Sequence, residues 1–248
     1  MEQIKTIFIE ETDSTINFLR EYGGEEGGRM TVVSAESQTA GRGQGSNKWE
    51  SEAGKNLLLA VKTHPKNLPA RRQFVLLEAG ALAVKDALER HTDGISIKWP
   101  NDVYHGDRKI SGTLSECTIA HGLVTSCITG TGININQLSF VSDAPNPTSL
   151  AAIIGHETDR ENILNVFVSR MSAYLDMIDN GLYDEIHAAY KAALYRRHGM
   201  HAYRDAGGTF TATMETVMPD GRLVLVAQDG GRREYSFKEV SYIININN

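Results

Sequence analysis

The sequence has little cysteine, little proline and no long apolar run. It holds two cysteines, Cys117 and Cys127, and six prolines among 248 residues. Two cysteines without C-x-x-C spacing build no disulfide framework, and both lie in apolar, strand-like stretches, so we expect buried, reduced thiols. No stretch approaches the roughly 20 apolar residues that a membrane helix needs, and no signal peptide is visible. We therefore expect a cytoplasmic protein without a membrane partner.

Basic charge and metal-ligand spacings are also in short supply. The formal net charge is -6, which weakly disfavours nonspecific nucleic-acid binding. The eight histidines show no H-E-x-x-H or comparable spacing, so no metal site is predicted. A hydrophobic fraction of 41% argues against disorder, and the length suffices for one core, or for one core with a small satellite domain.

Periodicity divides the chain near residue 198. Before that point, apolar strand patterns alternate with amphipathic helix patterns. The predicted strands cover 3–9, 31–37, 56–63, 94–102 with a stop at Pro100, 108–119 and 123–135, and the predicted helices cover 13–22, 71–91, 148–157, 161–180 and 183–197. Beyond residue 200, glycine turns separate short alternating strands, which is typical of a small antiparallel barrel. We predict two domains, 1–198 and 199–248.

A glycine-rich stretch, "TAGRGQGSNKW", covers residues 39–49. Around Gly41 and Gly43 the backbone can approach a phosphate closely, Arg42 offers a planar cationic fork, and Trp49 offers a face for a purine. These features indicate a nucleotide or adenylate loop. A mobile surface loop with a half-buried tryptophan is the alternative. The stretch matches neither the P-loop nor the Rossmann fingerprint.

Polar residues also stand at strand ends. Lys98, Asn101 and Asp102 cluster in "KWPND", where a strand meets a turn, a usual place for active-site groups. Asn134 interrupts the apolar pattern of "TGTGINI". A buried asparagine needs partners, which can be backbone groups or the edge of an adenine.

One lysine lies inside an otherwise apolar strand. Strand alternation places Lys109 and Ser111 on one face, and Ile110 and Gly112 on the other. Lys109 is either a solvated edge-strand lysine or a lysine that points into a cleft to neutralise an anion. In the second case Gly112 marks the close approach of a ligand or of another backbone.

The "DSTIN" stretch at residues 13–17 allows two interpretations. Ser14 and Thr15 can cap the helix that follows. The same hydroxyls can also be presented to a polar ligand.

Taken in order, four stretches resemble bacterial biotin–protein ligases, also called biotin–acetyl-CoA-carboxylase ligases. They are "DST", "ESQTAGRGQ…W", "KWPNDV…RKISGTLSE" and "GTGININ". The resemblance covers nearly the whole chain. It implies an α+β fold in which a mixed sheet is flanked by helices, as in class II aminoacyl-tRNA synthetases, followed by a small SH3-like β-barrel.

The resemblance also implies a two-step reaction. The carboxylate of biotin attacks the α-phosphate of ATP, with Mg²⁺ accompanying the nucleotide, and gives biotinyl-5'-adenylate. A lysine of a biotin carboxyl carrier protein then attacks this anhydride; the carrier belongs to acetyl-CoA carboxylase or to a related biotin-dependent carboxylase.

Site residues follow from the resemblance position by position. The implied catalytic residues are Lys109, Arg42 and Asp102, with Asp102 as the candidate base for the carrier amine. The implied biotin-binding residues are Ser14, Thr15, Gln38, Gly41, Arg42, Gly43, Lys109 and Gly112. The implied ATP- and adenylate-binding residues are Arg42, Trp49, Lys98, Asn101, Lys109 and Asn134.

Two positions depart from the family pattern. Ile16 separates Thr15 from Asn17, so only Ser14 and Thr15 match securely in that motif, and Gln44 stands where some members carry a second arginine. Losing that charge would place more of the phosphate contact on Arg42.

Several other functions compete with this one. A lipoate–protein ligase or octanoyltransferase is the nearest, although "GRGQ" and "KWPND" favour biotin. A peptide-binding adaptor needs an aromatic groove, whereas the aromatics after residue 200 are spread at strand-core spacing. Because the catalytic pattern begins by residue 13, we expect no DNA-binding domain and no operator binding. An exposed sheet edge would allow a homodimer.

Overall fold

A computed structural model describes residues 4–26, 28–43, 45, 47–141 and 146–244. Its larger sheet contains β1 (Ile4–Thr12), β2 (Met30–Gln38), β3 (Leu57–Thr63), β4 (Ile95–Lys98), β5 (Asp102–His105), β6 (Arg108–Ala120) and β7 (Leu123–Ile133). The spatial order is β1-β2-β3-β7-β6-β5-β4. β1 and β2 are parallel, and the other neighbours are antiparallel, so the sheet is mixed as predicted.

Helices cover both faces of this sheet. They are α1 (Thr15–Glu21), α2 (Phe74–Leu88), α3 (Leu150–Ile154), α4 (Arg160–Asp179) and α5 (Tyr183–Ala192). α2 is rich in alanine and leucine and is buried on almost every side, because it lies between the sheet and the helices α4 and α5. α1 packs Ile16 and Leu19 against the opposite face of the sheet. None of the helices in the described ranges is long and apolar enough to span a bilayer.

The C-terminal segment forms a separate antiparallel sheet. Its strands are β8 (Met200–Asp205), β9 (Gly208–Val217), β10 (Leu223–Ala227), β11 (Arg232–Tyr235) and β12 (Ser241–Tyr242), in the order β11-β10-β9-β8-β12. This agrees with the predicted small all-β domain of SH3-like type. The boundary between residues 198 and 199 stays a prediction, because one hydrophobic cluster runs through both sheets.

The two sheets are joined by specific contacts as well as by the shared core. The Trp99 indole Nε1 donates a hydrogen bond of 2.8 Å to the carbonyl oxygen of Gly221. Phe237 packs against Trp99 and Phe74, with ring centroids 5.5 and 5.8 Å apart. The C-terminal sheet is thereby held next to the turn that follows β4.

A buried histidine–glutamate pair lies in the same junction. His187 Nδ1 is 2.6 Å from Glu78 Oε1, and its Nε2 is 3.0 Å from the carbonyl oxygen of Val217. Glu78 and His187 are only 1% and 8% exposed. Hydrogen bonds from both ring nitrogens thus link α2 and α5 to β9.

The strand predicted in 94–102 with a stop at Pro100 is β4, which ends at Lys98 before a turn that contains the cis Trp99–Pro100 peptide bond; β5 begins after that turn. One predicted element was wrong in extent. The predicted helix over 183–197 ends at Ala192, because Leu194 instead makes a parallel bridge with Ile97 on the sheet edge. This error arises from the pairing of two residues far apart in the chain, Leu194 and Ile97, which local propensity does not encode.

The expectation of buried thiols holds for one cysteine only. Cys127 is buried, whereas Cys117 is half-buried, and neither forms a disulfide. The two lie opposite each other on β6 and β7.

Candidate active site

A cavity of about 970 Å³ lies between the larger sheet, the segment 41–49 and the C-terminal sheet. Every predicted site residue except Gly41 lines it. These residues are Ser14, Thr15, Gln38, Arg42, Gly43, Trp49, Lys98, Asn101, Asp102, Lys109, Gly112 and Asn134. Gly41 lies behind the wall, where a β-carbon would be 2.7 Å from the carbonyl oxygen of Trp49. Its role is to let the two ends of the loop approach each other.

One end of the cavity is lined by the polar side chains of Ser14, Thr15 and Gln38. The backbone N–H and the hydroxyl of Thr15 both donate to Gln38 Oε1, at 2.7 and 3.0 Å. This fixes the Gln38 side chain and leaves its amide nitrogen as a donor. Ser14 stands at the N-cap position of α1, yet its side chain makes no capping bond. The two hydroxyls and the amide can therefore serve a small polar ligand.

Asp102 organises the charged centre of the cavity. Lys109 Nζ lies 2.6 Å from Asp102 Oδ1, and Lys98 Nζ lies 3.9 Å from Asp102 Oδ2. Burial lowers the pKa of the Lys98 ammonium group, and the charge of Asp102 partly offsets this effect. Two lysines share one carboxylate, so the centre is suited to an anionic ligand.

A β-bulge corrects the predicted orientation of Lys109. In the pairing of β5 with β6, Tyr104 faces Lys109 and Val103 faces Ser111, which leaves Ile110 as an extra residue. The extra residue breaks the alternation of side chains, so Lys109 and Gly112 both line the cavity instead of lying on opposite faces. Ser111 is fully buried and donates to the carbonyl oxygen of Gly132 at 2.7 Å.

The glycine-rich loop folds back on itself over the cavity. Gly43 N–H donates to the carbonyl oxygen of Asn47 at 2.7 Å, and Trp49 N–H donates to that of Gly41 at 2.9 Å. Arg42 reaches Glu116 on β6, with 3.5 Å between Nη1 and Oε1. Gln44, whose neutral side chain departs from the family pattern, lies outside the described residues.

Trp49 and Asn134 form the opposite end of the cavity. The indole lies flat on Gly132, where a β-carbon would be 2.3 Å from the ring. Its Nε1 is buried without a partner among the described residues. Asn134 donates to the carbonyl oxygen of Thr148 at 2.9 Å, but its Oδ1 is likewise buried and unpartnered there. A flat ring with a hydrogen-bond donor would complement this end of the cavity.

Asn101 has a structural task in the site. Its side-chain amide donates to the backbone carbonyl oxygen of Thr113, and its backbone carbonyl oxygen accepts from the Thr113 N–H at 3.0 Å. These bonds fix the turn before β5 and so position Asp102. A direct contact of Asn101 with ATP stays a prediction.

Sequence reasoning missed several residues that line the cavity. Gly130 and Gly132 form its floor, since Ile16 and Trp49 occupy the space where their side chains would lie. Their spacing of two residues in "TGTG" places them on one strand face, which was a readable signal. Lys238 lies between β11 and β12, and Tyr242 lies on β12. No pattern in the surrounding sequence marks either of them as a site residue.

We expect Gly112→Ala to slow the chemistry at this site. A β-carbon at Gly112 would lie 3.3 Å from both Asp102 Oδ1 and Lys109 Nζ, so it would displace their ion pair. A shift of a few tenths of an ångström in a reacting group should cost about tenfold in kcat/KM. The measurement is substrate-dependent pyrophosphate release. Gly23→Ala is the matched control, because nothing lies within 4 Å of its β-carbon position; equal rates in the two variants would contradict the prediction.

The chain is similar in sequence to several known proteins. The model of the biotin/lipoate A/B protein ligase family matches residues 8–134. The bifunctional ligase/repressor BirA of Bacillus spizizenii is 32% identical over 237 residues, covering 92% of this chain and 70% of that protein. The biotin–[acetyl-CoA-carboxylase] ligase of Mycobacterium tuberculosis is 31% identical over 146 residues, 57% of this chain and 53% of that protein.

Solved structures show the same architecture. The biotin protein ligase from Aquifex aeolicus in complex with biotin and ATP superposes with a TM-score of 0.77 at 28% identity, over 96% of this chain and 97% of that one. A match over 96% of this chain includes most of the C-terminal sheet as well as the larger sheet.

Proposed function

The chain belongs to the biotin/lipoate A/B protein ligase family, and we propose that its cavity makes biotinyl-5'-adenylate and transfers the biotinyl group to a carrier lysine. The protein is a ligase that attaches biotin to protein, with biotin and ATP as substrates. The charge of the cavity is the strongest support for the site assignment. The basic side chains of Lys98, Lys109 and Arg42 all line the cavity, whereas the acidic residues among its described lining residues are Asp102 and Glu50.

The first half-reaction brings two anions together. The carboxylate of biotin must approach the α-phosphate of ATP, and negative charge builds up on the phosphoryl oxygens during transfer. Lys109 lies between the two ends of the cavity, 2.6 Å from Asp102 and 5.6 Å from the centroid of the Trp49 ring. It is therefore placed to contact both reacting groups, and Arg42 adds a second charge from the loop.

The two ends of the cavity receive the two ends of the adenylate. Ser14, Thr15 and Gln38 present hydroxyls and an amide to the ureido ring of biotin. At the other end, Trp49 packs on the adenine and Asn134 Oδ1 accepts from its exocyclic amine. This assignment gives a hydrogen-bond partner to the unsatisfied Oδ1 of Asn134.

Mg²⁺ enters this scheme as part of the nucleotide substrate. The described residues contain no cluster of three His, Cys, Asp or Glu side chains that would hold an ion. Asp102 is engaged by Lys109, and Glu50 accepts from the backbone N–H of Val141 at 2.8 Å. The protein residues described thus do not form a metal site of their own, and the ion would arrive on the phosphates of ATP.

Asp102 is the proposed proton acceptor in the second half-reaction. A free lysine titrates near pKa 10.4, so only about 0.04% is neutral at pH 7. Asp102 Oδ1 is occupied by Lys109, but Oδ2 is 3.9 Å from Lys98, beyond hydrogen-bonding distance. That oxygen is open to the incoming amine.

We expect Asp102→Asn to slow transfer from preformed adenylate to the carrier by about 10²-fold, the usual scale for a positioned base. Adenylate formation should fall less, because an asparagine oxygen still accepts from Lys109. The measurement is single-turnover transfer from purified biotinyl-5'-adenylate to a carrier domain. Full transfer by the variant would remove Asp102 from this role.

Lys238 is the proposed contact of the C-terminal sheet with the triphosphate. It lines the cavity, and its Nζ lies 2.2 Å from the position of a β-carbon on Gly45, so the ammonium group rests directly against the loop. Lys238 has a positive φ of 73°, which asparagine tolerates. We expect Lys238→Asn to raise the KM for ATP roughly five- to tenfold with little change in kcat. An unchanged KM would show that this lysine only touches the loop.

The choice of biotin over lipoate has a direct test. The purified protein is incubated with ATP and Mg²⁺ and with either biotin or lipoate, and the acyl-adenylate is identified by mass spectrometry. We expect biotinyl-adenylate alone. Lipoyl-adenylate without biotinyl-adenylate would move the protein to the lipoate branch of the family, and no adenylate with either acid would overturn the proposal.

Four further expectations stay predictions. The carrier is a biotin carboxyl carrier protein of a biotin-dependent carboxylase, and biotinylation of such a domain is the test. Absence of operator binding is tested by a gel shift. A homodimer through the edge strand β1, where Phe8 is 66% exposed, is tested by the mass in solution. A cytoplasmic location is tested by fractionation.

A further inference from the structure

Two cysteines oppose each other on the strands that form the floor of the cavity. Cys117 on β6 pairs with Cys127 on β7 in the antiparallel register. Their sulfur atoms are 3.0 Å apart. Opposite residues of an antiparallel pair have Cα atoms about 4.5–5.5 Å apart, which is within the range that a disulfide spans. The backbone therefore already has the separation that a bond requires.

The two thiols differ in exposure and in acidity. Cys117 is half-buried and Cys127 is fully buried. Their mutual hydrogen bond lowers the pKa of the Cys117 thiol. The same contact, together with burial, raises the pKa of the Cys127 thiol. Cys117 is thus the more accessible and the more acidic thiol, and Cys127 is a buried thiol held next to it.

The cysteine pair continues a line of polar pairs on one face of the sheet. Thr113 and Thr131 approach to 3.3 Å between their hydroxyl oxygens, and Ser115 and Thr129 approach to 3.2 Å. Each pair lies two residues from the next in the register of β6 and β7. On the other face the same strands carry Gly112, Gly130 and Gly132, which form the cavity floor.

We propose that Cys117 and Cys127 are a redox-sensitive pair that forms a reversible intramolecular disulfide and stiffens β6 and β7 beneath the cavity. The oxidant is a hydroperoxide. The Cys117 thiolate attacks the peroxide oxygen, the O–O bond breaks, and with one proton the products are a Cys117 sulfenic acid and the alcohol of the hydroperoxide, which is water where the oxidant is hydrogen peroxide. Cys127 sulfur then attacks Cys117 sulfur, the S–O bond breaks, and the hydroxyl leaves as water with the Cys127 proton. A dithiol reductant restores both thiols.

The test uses the full-length protein with hydrogen peroxide as the probe. We expect the two thiols of the chain to disappear together, with a mass loss of two hydrogens per chain and a cross-linked peptide that joins residues 117 and 127, and without a covalent dimer. Dithiothreitol should reverse the loss of thiols, the loss of mass and the cross-link. Retention of both thiols, or a disulfide between two molecules, would overturn the proposal.

Two variants separate the steps. Cys127→Ser should stop at a Cys117 sulfenic acid that dimedone traps, whereas Cys117→Ser should react at least tenfold more slowly with peroxide. Equal reactivity of the two variants would refute the assigned order.

The stiffening of the strands has its own test. Amide hydrogen exchange in β6 and β7 should slow at least tenfold in the oxidised protein, and unchanged exchange would refute the proposed stiffening. These measurements do not depend on the ligase assignment.

Discussion

Lys109→Ala should lose biotinyl-adenylate formation by about 10²- to 10³-fold, the usual cost of removing one group that stabilises transition-state charge. Lys109 is the cation closest to Asp102 and lies beside Trp49, so its removal leaves the meeting point of carboxylate and α-phosphate without its nearest positive charge. The measurement is biotin-dependent pyrophosphate release, with adenylate identified by mass spectrometry.

The control for this variant is a lysine of equal charge away from the cavity. Lys55 pairs with Glu157 on the surface at 2.7 Å, and its side chain is 38% exposed. Lys55→Ala should keep the wild-type rate, which separates loss of a site cation from a change in net charge. If Lys109→Ala also kept the wild-type rate, the site assignment would fail even if the protein proved to be a biotin ligase.

His187→Ala should lower the free energy of unfolding by about 2–6 kcal/mol, because each of two buried groups that loses its hydrogen-bond partner costs about 1–3 kcal/mol. The change leaves the carboxyl of Glu78 and the carbonyl of Val217 without their hydrogen-bond partner in the buried junction. This loss is large against the 5–15 kcal/mol that stabilises a typical protein. The measurement is urea unfolding at neutral pH.

The chain offers a more exposed pair of the same residue types as a control. His64 Nε2 is 2.8 Å from Glu26, and the two side chains are 36% and 28% exposed. His64→Ala should cost at most about 1 kcal/mol, because water replaces the lost partner. If the two histidine variants were equally stable, burial would not be what makes the His187 pair important.

Glu78 also predicts a pH dependence. Burial raises the pKa of its carboxyl above the ordinary value of 4.5. The folded protein then holds this proton more tightly than the unfolded chain, so stability falls as the pH rises from 4.5 through the raised pKa. Glu78→Gln has no such titration and should lack this part of the decline. A decline that is identical in both proteins would contradict the prediction.

The strands and helices of the larger domain were largely predictable, because their signals are local. Apolar runs such as 56–63 predict buried strands, and α2 follows from alanine- and leucine-rich composition. The site residues were predictable for a different reason: motifs with fixed spacing occupy them in order along the chain. Taken singly, the stretches that contain Trp49 and Asn134 fit a structural role as well as a ligand-binding role. Only the occurrence of the motifs together favoured a binding site.

What the sequence by itself determined is which residues are present and on which elements they lie. The tertiary structure decided how they meet. The bulge at Ile110 turns Lys109 and Gly112 to the same side, because the pairing with β5 requires an extra residue. The C-terminal sheet brings Lys238 and Tyr242 to a cavity built mainly by residues 14–134, because Trp99 and Phe237 pack across the junction. Contacts between residues this far apart depend on the closure of the whole chain, which local propensity and strand alternation do not encode.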